Sequence, residues 1–319
     1  MTTVAAPAPY RHYIQPEADT EFPAEVGRYH LYVAYSCPFA SRALSARNLK
    51  GLEDVVSISV AHPVSQKTKS DDPSDSHKGW TFFDPAEEPT IVSANGNEYS
   101  TEGCIPDMVL NTKYVRDIYE LVDKTPRTYS VPLLWDKKNQ TIVSNESADI
   151  LRTLNSGFRD LVPSDVDLLP EALLAQIEKA NVDVVGSIGS GMFKALTAKD
   201  AESRAQELAN FFANIQTVDD ILAKSRFLVG DTITEADIGL FHTLIRFDTY
   251  QLESDKFHLS QYPNVLNYLR DLYQTPALKK TVHWDHLKLA LVNLMPNVVA
   301  AGPFVDYEGV HDRVTRFAN

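Results

Sequence analysis

Tyr35-Ser36-Cys37-Pro38-Phe39-Ala40-Ser41-Arg42 joins a short apolar run to a helix-like segment, and its reading decides the fold. The run before it, Tyr29-His30-Leu31-Tyr32-Val33-Ala34, is rich in β-favouring residues and follows Gly27, as a strand would. The segment after it, from Pro38 to Lys50, reads as a helix. Proline suits a first helical position, where its missing N–H costs nothing, and Gly51 suits the left-handed position that ends a helix. Cys37 therefore falls at the N-terminus of that helix. Unpaired amides and the positive end of the helix dipole lower the pKa of a thiol placed there. A lone cysteine is more commonly a small buried hydrophobe; the strand-to-helix setting favours a reactive one.

Outward from this junction, Val55-Val56-Ser57-Ile58-Ser59-Val60 alternates as a second strand. A β-α-β order with so short a connection predicts a parallel pair with a right-handed crossover. The pattern then breaks into a polar, proline-punctuated insertion near 62–104. Apolar spacing over 105–122 predicts a helix. Val131-Pro132-Leu133-Leu134-Trp135 and Thr141-Ile142-Val143, with a polar turn between, predict a hairpin. Asn145-Glu146-Ser147 opens a further helix that runs to about Asn155. The first half is thus a small α/β domain.

From Pro163 onward no convincing strand is present. Segments near 170–187, 199–223, 235–249, 263–273 and 277–295 carry apolar residues at helical spacing. Thr234-Glu235-Ala236-Asp237 matches a capping box. The expected organisation is an N-terminal arm over 1–26, an α/β domain over 27–160 and an all-helical domain over 161–319. Met1–Pro16 is rich in Ala and Pro but lacks the basic start and apolar centre of a signal peptide, and a loosely ordered arm is expected there.

The 319-residue length accommodates two cores. With 30 basic and 43 acidic residues the formal charge is −13, which argues against a nucleic-acid partner or an anionic membrane surface. Leu287–Ala301, an apolar stretch, is interrupted by Lys288, Asn293, Pro296 and Asn297 and cannot span a bilayer. Two cysteines, Cys37 and Cys104, make no disulfide framework, so a reducing, cytoplasmic location is expected.

Together, Cys37-Pro38-Phe39-Ala40, Gly79-Trp80, Val131-Pro132-Leu133-Leu134-Trp135-Asp136-Lys137 and Val143-Ser144-Asn145-Glu146-Ser147 resemble the Xi-class glutathione transferases, or glutathionyl-hydroquinone reductases, which lie near the Omega class. The resemblance spans about Gly27 to Pro303 and includes Ile245-Arg246-Phe247-Asp248. It implies a thioredoxin-like α/β domain followed by an all-α domain, the cytosolic glutathione transferase architecture. It implies glutathione as co-substrate, a homodimer, and a cis bond before Pro132.

The residues suit that ligand. Val131, ahead of Pro132, can pair with the cysteinyl backbone of glutathione as an added strand. Glu146 can pair with the γ-glutamyl ammonium, and Ser147 with the amides of its helix can take the γ-glutamyl carboxylate. Phe39 and Trp80 complete the glutathione set that the resemblance implies. Ala40 stands where a Cys-X-X-Cys protein has its second cysteine, so the chemistry is monothiol: Cys37 takes up a glutathionyl group and a second glutathione releases it. Cys104 is read as structural.

The aromatic-substrate side departs from the family. The Xi pattern Asn-Asn-Gly-Val-Tyr-Lys is here Gly189-Ser190-Gly191-Met192-Phe193-Lys194. Tyr250 falls one place early after Arg246, and the family's His-Tyr-Tyr is here His283-Trp284-Asp285. Phe193, Arg246, Tyr250 and Trp284 are the corresponding substrate-pocket residues. No metal is expected, because His283 and His286 have no further clustered ligand. No Gly-X-Ser-X-Gly elbow is present, and Gly186–Gly191 lacks the setting of a phosphate loop. Two further readings stand beside a deglutathionylating enzyme: a conjugating or isomerising transferase on a specialised aromatic metabolite, and a non-catalytic binding module.

Overall fold

The computed structural model describes residues 10–94, 96–250, 258–295 and 298–318. Two compact units emerge, one holding the chain up to Val166 together with Asp285–Val299, the other holding Asp167–Trp284 and the chain from Ala300 on.

The first unit is built on β1 (Tyr29–Val33), α1 (Pro38–Leu49) and β2 (Ser57–Val60), with β1 and β2 parallel as expected. Gly51 takes φ +68° just past α1, a conformation that costs glycine little. The insertion contributes two small hairpins, β3 (Gln66–Lys67) with β4 (Lys78–Gly79), and β5 (Thr90–Val92) with β6 (Glu98–Ser100). Then come α2 (Val115–Val122), β7 (Leu133–Asp136), β8 (Thr141–Ser144) and α3 (Ser147–Ser156). The four-stranded sheet runs β2-β1-β7-β8, with β7 antiparallel to both neighbours. All five residues of β1 are buried. His30 survives there because its two ring nitrogens meet the Ser57 and Ser59 hydroxyls at 2.7 and 2.9 Å, and burial lowers its pKa to about 4.

The helix expected over 105–122 begins only at Val115. The Asp107 carboxylate accepts the backbone N–H groups of Val109, Leu110 and Thr112, which holds that stretch in turns instead of a helix. Asn111, at φ +55°, is consistent with this.

The arm is more ordered over its described part than its composition led one to expect. The His12 N–H donates to the Val143 carbonyl at 2.9 Å, and the Asn145 N–H donates to the Tyr10 carbonyl at 3.3 Å. Arg11 bridges Ser144 as a neighbouring antiparallel residue, so the arm lines the outer edge of β8. The Ile14 N–H then donates to Thr153 Oγ1, and Gly157 lies so near Ile14 that an added Cβ would stand 2.7 Å from its carbonyl oxygen. At the opposite edge, Val60 of β2 and Ile105 exchange two backbone hydrogen bonds of 3.0 Å.

The second unit contains α4 (Leu174–Ala180), a π-helical stretch over Asn181–Gly186, α5 (Ser187–Thr197), α6 (Ala201–Leu222), α7 (Glu235–Thr249), α8 (Pro263–Tyr273) and α9 (Pro276–Lys279). Trp284–Leu289 forms α10 and Arg313–Arg316 forms α11. Among the described residues no strand follows Ser144. The segment expected as one helix over 277–295 is broken into short pieces. The capping box is present: Thr234 donates to Asp237 through its N–H at 2.9 Å and its hydroxyl at 2.8 Å. The buried Asp237 carboxylate also accepts from Leu228 N–H and the Tyr268 hydroxyl. No described helix is long and apolar enough to cross a membrane.

Candidate active site

Cys37 takes an extended conformation (φ −87°, ψ 118°) as the N-cap of α1, with Pro38 in the first turn. Its carbonyl accepts the Ser41 N–H, so the helix starts on it, while its half-buried thiol reaches out from the strand end. The thiol donates to the Val131 carbonyl at 3.5 Å. Val131 lies next to the end of β1 because β7 is antiparallel to it, with Tyr32 opposite Leu133. The Val131–Pro132 bond is cis.

The hairpin returns through β8, with Leu134 opposite Ser144, and delivers Asn145-Glu146-Ser147 to that same end of the sheet. Glu146 is the N-cap of α3, accepting the Ala148 N–H at 3.3 Å and the Ser147 hydroxyl at 3.4 Å. A glutamate at this point sets a carboxylate beside the amides of the helix start, which suits a zwitterionic ligand end.

A link between the two segments could not be read from the sequence. Tyr119 of α2 donates to the Ser130 carbonyl at 3.0 Å and accepts from Asn145 Nδ2 at 2.9 Å. One buried phenol therefore holds the residue before Val131 and the residue before Glu146. The only sequence sign was the position of Asn145 beside Glu146.

Phe39 is exposed on the first turn of α1 with the Arg42 guanidinium 5.4 Å from its ring. Trp80 is half-buried within the insertion, just after β4, its carbonyl accepting the Val115 N–H that opens α2. In the second unit Phe193 is 59% exposed on α5, not packed between helices. Arg246 is buried on α7 and donates to the His242 carbonyl at 2.7 Å. Tyr250 caps the end of α7. Trp284 donates to the Tyr273 hydroxyl at 3.2 Å and packs with the rings of Tyr273 and Tyr307.

Cys104 has a different environment. It is buried among Val64, Phe83, Ile91, Tyr99 and Val292, and burial pushes its thiol up to about 12. His286 Nε2 lies 2.8 Å from the Glu102 carbonyl, and among the described residues no three His, Cys, Asp or Glu side chains cluster as a metal site would need.

Known proteins resemble this chain in sequence and fold. The family description "Glutathione S-transferase, N-terminal domain" matches residues 36–156, and "Glutathione S-transferase, C-terminal domain" matches 201–271. The chain is 35% identical over 305 residues to the glutathionyl-hydroquinone reductase YqjG of Escherichia coli, covering 93% of this chain and 85% of that protein. It is 30% identical over 288 residues to the glutathionyl-hydroquinone reductase PcpF of Sphingobium chlorophenolicum, covering 89% and 84%. Among solved structures, the Xi-class transferase of Natrialba magadii aligns with a TM-score of 0.81 at 34% identity, covering 96% of this chain and 89% of that one. The glutathione-bound YqjG structure aligns at 0.81 and 33%, covering 97% of each. Family matches to both halves and full-length similarity to these proteins make the chain an enzyme of the Xi-class glutathione transferase, or glutathionyl-hydroquinone reductase, family.

Proposed function

We propose that this enzyme removes glutathione from S-glutathionyl aromatic compounds of the quinone type, or from α-keto thioethers, with Cys37 as nucleophile and glutathione as co-substrate. The observation that carries the reading is the Cys37 thiol 3.5 Å from the Val131 carbonyl, a nucleophile beside a backbone edge that can pair with a peptide. The Cys37 thiolate attacks the sulfur of the glutathionyl thioether. A sulfur–sulfur bond forms, the carbon–sulfur bond breaks, and the aryl carbon keeps the electron pair and takes a proton. A second glutathione thiolate then displaces Cys37 from the mixed disulfide. One glutathionyl-hydroquinone and one glutathione thus become hydroquinone and glutathione disulfide. The test supplies a glutathionyl-hydroquinone with glutathione and follows both products; absence of glutathione disulfide would overturn the reading. By family resemblance the working form is a cytoplasmic homodimer.

In this reading Glu146 and Ser147 hold the γ-glutamyl end of glutathione, both before and during reaction. Their loss is expected to raise the glutathione KM and leave kcat near normal. Glu146→Ala should cost about 2 kcal/mol of binding, the worth of a charge-assisted hydrogen bond. Steady-state kinetics with varied glutathione check this, and a collapsed kcat at unchanged KM would contradict it.

Phe193 marks where the sequence departs from the family's substrate-side pattern. It has the shape of the family tyrosine without the hydroxyl, and positioned proton donors contribute ~10²–10⁴ in rate. Weak turnover of simple glutathionyl-hydroquinones is expected, with Phe193→Tyr raising kcat and barely moving KM. The 59% exposure of Phe193 means the added hydroxyl carries no burial penalty. Robust wild-type turnover, or no gain in the variant, would show that another group supplies the proton.

A further inference from the structure

The first turn of α3 contains an acidic side chain, Asp149, three places after the Glu146 cap. An anion there answers the free amides and the dipole of the helix, and so competes with any carboxylate that binds at the same end. Asp149 is 3% exposed, and both of its oxygens are already taken. Arg11 grips it with two hydrogen bonds, Nε to Oδ2 at 2.6 Å and Nη2 to Oδ1 at 3.0 Å, and the Tyr13 hydroxyl donates to Oδ1 at 2.5 Å. Burial alone would raise the Asp149 pKa, yet these donors and the Arg11 charge hold it below the ordinary carboxylate value. The Arg11 guanidinium also feels the charge of Glu146.

We propose that Arg11 and Tyr13 of the N-terminal arm are positioning residues for glutathione: they neutralise Asp149 and so leave the start of α3 to the γ-glutamyl carboxylate. This rests on the reading that Glu146 and Ser147 bind that end of glutathione. The arm's backbone holds the same segment, through Tyr10 to Asn145 and His12 to Val143, so the two side chains arrive in register with the helix start. Arg11 is solvent-facing, its side chain 61% exposed, so replacing it tests charge with little disturbance of packing.

The test measures the Kd of S-methylglutathione, which keeps both carboxylates and the amine but cannot form a disulfide. Arg11→Gln should weaken binding about twofold to fivefold, the range expected for an exposed charge at a helix terminus. Tyr13→Phe should weaken it about twofold. The Arg11→Gln defect should shrink as salt is raised, since the exposed charge is screened. Arg11→Lys, and the pair Arg11→Gln with Asp149→Asn, should both return to near wild type. If Arg11→Gln binds as well as wild type while Glu146→Ala and Ser147→Ala bind poorly, the role given to Arg11 is overturned and the placement of glutathione stands. Should Glu146→Ala and Ser147→Ala also bind normally, the placement falls, and this inference with it. A defect that neither Arg11→Lys nor Asp149→Asn repairs would mean the arm is only a prop, which also overturns the proposal.

Discussion

Cys37→Ser is expected to abolish thioether cleavage, with a rate loss on the order of 10³-fold or more, and to leave the chain folded. A serine hydroxyl cannot form the mixed disulfide through which the proposed reaction runs. Intact mass after exposure to glutathione disulfide should show one glutathionyl adduct on the wild type and none on the variant. Cys104→Ser serves as the contrast. Its thiol is buried in an apolar cluster and pushed up to about 12, so it is nearly all protonated at neutral pH. That variant should keep its activity and lose about 1–3 kcal/mol of stability, the cost of burying a hydroxyl without a partner. A Cys37→Ser enzyme that still cleaved at the wild-type rate would remove Cys37 from the mechanism.

The second large effect is expected far along the chain, at Arg313. This side chain is 1% exposed and lies under the end of α6. Its Nη1 donates to the Leu222 carbonyl at 3.1 Å and the Asn264 carbonyl at 3.4 Å; its Nη2 donates to the carbonyls of Ser225 at 2.6 Å and Arg226 at 2.5 Å. The last carbonyls of a helix have no partners within it, and a cation there also suits the helix dipole. Arg316 adds a bond to the Ala223 carbonyl. Arg313→Ala removes four hydrogen bonds from a charged donor at once and should cost about 3 kcal/mol, given what hydrogen bonds to charged groups are worth. The melting temperature should fall by about 6–12 °C at the ~2–4 °C per kcal/mol typical of larger domains. Arg313→Lys should recover less than half of the loss, because a single ammonium cannot span the same carbonyls. Calorimetry of both variants decides the matter; a melting temperature within a degree of wild type for Arg313→Ala would show that the tail contributes nothing to stability.

The parts of this molecule that could be read in advance are those specified by neighbouring residues. The strand-Cys37-Pro38-helix junction, the glycine stop at Gly51, the hairpin after Pro132 and the Thr234–Asp237 box each lie within a few residues of their own signal. What escaped notice depends on partners far apart in the chain. Arg11 and Asp149 are 138 positions apart, Arg313 and Leu222 are 91 apart, and neither segment has any periodicity to betray it. The helix expected over 105–122 failed for a local reason that apolar spacing does not register: Asp107 draws backbone amides away from a helical ladder. The same limit holds for the site. The placing of Cys37 at a helix start was legible, while the Tyr119 bond pair that ties Ser130 to Asn145 depends on three elements meeting.

The two irregular segments along the outer strands have a consequence for how the protein behaves in crowded solution. An exposed strand rim is a template on which another chain can add, the usual first step of edge-to-edge aggregation. Here the arm occupies the rim of β8 and Ile105 that of β2. Trimming the chain up to Ile14 would therefore not remove an idle tail; it would uncover the backbone groups of Val143 and Asn145 and give the enzyme a place to polymerise.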